Sequence, residues 1–83
     1  MAAVQVINAS RYSIKTASGY EMAHQVEYSN ETIFRAIVSP DGWIRIEGKH
    51  IGKDWIAQKP YIVRKDKKRQ GERIIEMVQN FLN

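Results

Sequence analysis

Two runs of β-branched and aromatic residues meet at Ser39-Pro40-Asp41-Gly42, within the stretch "TIFRAIVSPDGWIRIEG". No other feature limits the fold as much. Pro40 presets φ for the second position of a turn and Asp41 tolerates the third. Gly42 supplies the positive φ that a hairpin loop of roughly three to five residues needs. In the first arm Phe34, Ala36 and Val38 share a face. In the second, Ile44 and Ile46 share one, leaving Trp43, Arg45 and Glu47 on the other. The pattern predicts a β-hairpin.

The residues before it carry the same period of two. "AVQVIN" is short and β-branched, and Tyr12 and Ile14 alternate with Arg11, Ser13 and Lys15. Ser18-Gly19 marks a turn. Beyond it Tyr20, Met22, His24, Val26 and Tyr28 fall on one face, and Glu21, Ala23, Gln25 and Glu27 on the other. A helix would scatter the first set around its cylinder, so the segment reads as a strand. "SNE" at 29–31 supplies the next turn. Downstream of the hairpin, Gly48, Gly52 and Pro60 interrupt the pattern. Irregular structure is expected there, with Trp55-Ile56 opening a short strand or a single helical turn and Tyr61-Ile62-Val63 adding another strand.

The period then changes. Ile74, Ile75, Val78, Phe81 and Leu82 form one helical stripe, bordered by Met77, with Glu76, Gln79 and Asn80 between. The expected architecture is α+β: an antiparallel β-sheet of three to five strands, built from hairpins, packed against one C-terminal amphipathic α-helix. With 83 residues the chain is read as a single domain, 1–83.

Composition sets the limits on function. Hydrophobic residues make up 43% and charged residues 27%, which argues against a disordered chain. There is no cysteine, so disulfides and thiolate metal sites are excluded. No apolar run approaches the ~18 residues of a membrane span, and the first residues lack a basic region followed by an apolar core. A cytoplasmic protein is the expectation, and the Asn-x-Ser/Thr triplets at Asn8 and Asn30 are read as chance. His24 and His50 have no cysteine or carboxylate at ligand spacing, so no metal site is expected. His24 is read as a satisfied, partly buried histidine. No nucleophile–base–orienter set is present. "GKHIGKD" resembles a phosphate-cradling loop, but Gly48 to Gly52 is one residue short and Asp54 stands where a hydroxyl should hold magnesium. Neither catalysis nor a cofactor is expected.

The charge is uneven. The chain carries a net +4, but residues 1–42 sum to −1 and residues 43–83 to +5. The densest run is "RKDKKR" at 64–69, where the C-terminal helix should begin. Cations there oppose the helix dipole and cost about 0.3–1 kcal/mol each if unscreened. Asp66 would offset part of this as an N-cap, whereas Gly71 would weaken an early helix by about 1 kcal/mol. Two starts are therefore open: near Gln70 with the run as a loop, or at Asp66 with a projecting basic turn. Neither gives the run a role in folding, and this frees it for a polyanion. The expected function is a small non-enzymatic domain that binds nucleic acid, DNA or RNA. Arg64, Lys65, Lys67, Lys68, Arg69 and Arg73 would grip the backbone. Arg45, Lys49 and Lys53 would extend the patch, and Trp43 would offer a stacking surface. The alternative is a protein-interaction module, such as a small inhibitor or regulator docking on an acidic partner. Solvation of the charges alone is the bland reading of the same run. A sheet edge could also be closed by a homodimer.

Overall fold

A computed structural model of the chain describes residues 4–17, 19–57 and 65–83, with only the backbone of 56–57 and 65–69. Arg64 and the expected strand at 61–63 lie outside the described residues. Four antiparallel strands, β1 (Val6–Thr16), β2 (Gly19–Tyr28), β3 (Thr32–Val38) and β4 (Ile44–His50), form an open sheet in the order of the sequence. A two-residue strand, β5 (Ile56–Ala57), extends it beside β4. One helix, α1 (Lys65–Leu82), packs on one face. The α+β architecture follows the sequence pattern.

The β3–β4 hairpin closes as Pro40 and Gly42 require. Gly42 N–H donates to Ser39 O at 2.9 Å, Ser39 N–H donates to Trp43 O at 2.9 Å, and Gly42 has φ 90°. Asp41 accepts from the Ser39 hydroxyl, and this bond holds its carboxyl below the usual carboxylate range. "AVQVIN" and "RYSIKTA" join into the single long strand β1, which bends at a register shift between Val6 and Asn8. Such a bulge lets Val6 and Ala9 both face α1.

Alternation sorts the sheet into two faces. Toward α1 stand Ala9, Val26, Ala36 and Ile46, all buried, and they meet Ile74 and Val78 of the helix. Val6, Tyr28, Phe34 and Ile44 complete this layer, with Tyr28 and Phe34 edge to face at 6.1 Å. The outer face buries Ala23, Ile33 and Ile37.

The helix crosses the sheet obliquely. Near its start Gly71 lies against Ile44, the first residue of β4. Two turns later Met77 Sδ accepts a hydrogen bond from Tyr28 OH at 3.8 Å, at the far end of β2. Continued past Val78, this line brings the last turn to β1, the edge strand, near Val6. One corner of the sheet is left uncovered. There Arg11, Ser13 and Lys15 of β1 are exposed, as are Tyr20 (69%) and Met22 (41%) of β2.

The docking of α1 decides which apolar residues are covered. Tyr20 and Met22 share the helix-facing side with Val26 but lie beyond the reach of α1, while Glu21 and Ala23 on the other face are buried. The apolar stripe of the helix runs past the sheet, so Phe81 and Leu82 are about half exposed. The helix starts at Lys65, so Asp66 sits inside the first turn and is not the N-cap.

Candidate nucleic-acid interface

The expected cations divide between the two sides of the sheet. Arg45 and Lys49 project from β4 on the outer face, opposite Ile37 and Ile33 of β3. Lys65, Lys67, Lys68, Arg69 and Arg73 belong to α1, on the other side. Lys53 is exposed in the turn after β4. The hairpin cations therefore do not join those of the helix in one patch.

On the outer face the cations serve the fold. Arg45 Nη1 donates to both carboxylate oxygens of Glu21 at 2.8 Å, and Glu21 is 5% exposed. Arg35 Nε donates to Glu47 Oε1 at 2.7 Å, and its Nη1 donates to Tyr12 OH at 3.0 Å. Tyr12 OH in turn donates to Gln25 Oε1 at 2.6 Å. The Trp55 ring lies 4.0 Å from the Arg35 guanidinium carbon and 4.8 Å from Lys49 Nζ. This polar layer roofs Ala23 and Ile37 without a second helix. Register explains it: Gln25, Arg35 and Glu47 form one cross-strand row, and Ala23, Ile37 and Arg45 the next. Arg45 and Lys49, expected to extend the basic patch, are engaged by Glu21 and Trp55.

The same registers make the outer face neutral. Its strands carry Arg35, Arg45 and Lys49 against Glu21, Glu27 and Glu47. The helix-facing side of the sheet carries Arg11 and Lys15 and no carboxylate. Five cations and three carboxylates on α1 add a further excess of two. Sequence reading missed Arg11 and Lys15, because their side of the sheet depends on where the helix packs.

The aromatic residues separate in the same way. Trp43 is 60% exposed at the end of the hairpin loop, next to Ile44, which meets α1 at Gly71. Trp55 is half-buried under Arg35 and Lys49. His24 is half-buried, but its Nδ1 is buried without a hydrogen-bond partner, so it is not the satisfied histidine expected. Burial, and then the charge of Arg11 opposite it in β1, hold its pKa below the ordinary value.

Among the described residues no group of three or more His, Asp or Glu is placed to hold a metal, and no helix is long and apolar enough to cross a membrane. Comparison with protein-family models, curated proteins and solved structures yields no match.

Proposed function

We propose that the protein is a small non-enzymatic domain that binds nucleic acid through the N-terminal half of α1. One observation carries the reading: α1 holds five cations against three carboxylates, while the strand positions of the outer face carry equal numbers of each sign. Lys65, Lys67, Lys68, Arg69 and Arg73 are concentrated in the first nine residues of an 18-residue helix. The positive end of the helix dipole lies at the same place, so both fields favour a phosphate. Arg73 is exposed and has no ion pair among the described residues. Arg64, next to α1 in the chain, would add to this end; Lys53 stands beyond His50, at the other end of β4 from the Ile44–Gly71 contact, and Arg45 and Lys49 act in the fold. The contacts envisaged are with the phosphate backbone and release counterions without reading sequence.

The test is a mobility-shift titration at several salt concentrations with single- and double-stranded oligonucleotides. Affinity should fall by about one decade per decade of salt for each phosphate contacted. The triple variant Lys67→Glu, Lys68→Glu, Arg69→Glu should abolish the shift and leave the melting curve nearly unchanged. No shift at low salt, or a shift indifferent to salt, would reject the proposal. Retention of an acidic protein after nuclease treatment, with no affinity for oligonucleotides, would favour the interaction-module reading.

A further inference from the structure

The geometry points to a two-fold homodimer in which the β1 strands of two copies pair antiparallel and each helix end covers the other's uncovered corner. Three observations lead to it. First, β1 is an 11-residue edge strand whose outer row of backbone groups has no neighbour among the described strands. A long free edge of this kind invites another strand.

Second, the exposed apolar side chains gather along that edge. Val4, Ile7, Tyr20, Met22, Phe81 and Leu82 are six of the eight exposed large hydrophobic residues among the described ones. Val4, Ile7, Phe81 and Leu82 lie toward the N-terminal end of β1, where α1 finishes. Tyr20 and Met22 lie beside its C-terminal end, opposite Lys15 and Ser13. Antiparallel pairing sets the first end of one β1 against the second end of the other. An axis near Ser10 places Ala9 opposite the partner's Arg11 and keeps the two Arg11 side chains apart. Cross-strand partners share a face, so both helices then stand on the same side of one continuous sheet. Phe81 and Leu82 of each copy come to the partner's Tyr20 and Met22.

Third, the charges complement each other. The last turn of α1 contains no basic residue, so nothing in that turn offsets the negative end of its dipole. The uncovered corner it would meet carries Arg11 and Lys15, with no carboxylate on that side of the sheet. A second copy supplies both the missing cations and the missing strand. An unrelated partner would have to supply each by coincidence.

Sedimentation of the nuclease-treated chain over a dilution series tests this. The expected mass is twice the 9.6 kDa of one chain at high concentration, dissociating on dilution. Joint replacement Phe81→Lys and Leu82→Lys should weaken association by roughly 100-fold or more. The fold itself should be spared, because lysine is favourable at a helix C-terminus. Far-UV dichroism checks this. Arg11→Glu with Lys15→Glu should also weaken association, and combining all four replacements should restore it. The proposal is overturned by a wild type that stays monomeric at every concentration. It is equally overturned by a dimer indifferent to the Phe81/Leu82 replacements, or by failure of the combined reversal to recover association. The Lys67/Lys68/Arg69 variant should dimerise normally, so the outcome is independent of nucleic-acid binding.

Discussion

Gly71 of the helix lies directly on Ile44 of the sheet: a Cβ added there would stand 2.5 Å from Ile44 Cγ2. That methyl belongs to a β-branched side chain held between strand and helix, so it has little room to move. The glycine that weakens the helix as a local element is what lets the helix reach the sheet.

Gly71→Ala should therefore destabilise the protein by about 1–3 kcal/mol through overpacking. Helix propensity alone predicts the opposite sign, a gain of about 1 kcal/mol. Chemical denaturation decides between them. Trimming the contact with Ile44→Ala should convert the alanine at 71 from harmful to neutral or helpful, a coupling readable in a double-mutant cycle.

Arg35 is held by Glu47, Tyr12 and Trp55 together, in a side chain 15% exposed. Lysine cannot reproduce the planar fork or the stacking. Arg35→Lys should cost about 2–3 kcal/mol, much of it from leaving Glu47 without its partner. Urea denaturation measures this, and a loss below about 0.5 kcal/mol would show that the layer is ornamental to stability.

Arg45 separates binding from folding. Its side chain is 43% exposed, so solvent screens part of the pair with Glu21. Arg45→Ala should still lower stability by about 1–2 kcal/mol, since it strands a buried carboxylate. Oligonucleotide affinity should change little. A large loss of affinity with full stability would return Arg45 to the interface.

His24 gives the stability a pH dependence of known sign. Its folded pKa lies below the ordinary value, so the unfolded chain binds the proton more readily. The neutral imidazole's contribution is complete above about pH 6.5. It is lost as pH falls from there toward the lower folded pKa. Melting temperature should therefore drop over that window in the wild type, and the drop should flatten in His24→Gln. An identical pH profile for the two chains would remove His24 as its source.

The hairpin at Pro40–Gly42, the alternation from Val6 to His50 and the helical stripe at Ile74–Val78 could be read in the chain because each is local. A fixed φ, a period of two and a period of 3.6 need no knowledge of distant residues. The amino-acid sequence by itself thus determined the hairpin, the alternating strands, the helical stripe and the total charge, and left open the strand order, the element at Ile56 and the start of α1. It did not determine which cations are free. That depended on strand register, which set Arg45 beside Glu21 and Lys49 beside Trp55, and on the oblique docking of α1 at Gly71. The same docking left Tyr20, Met22, Phe81 and Leu82 in solvent. Register and crossing angle arise from contacts between residues far apart in the chain, so only the tertiary structure decided them.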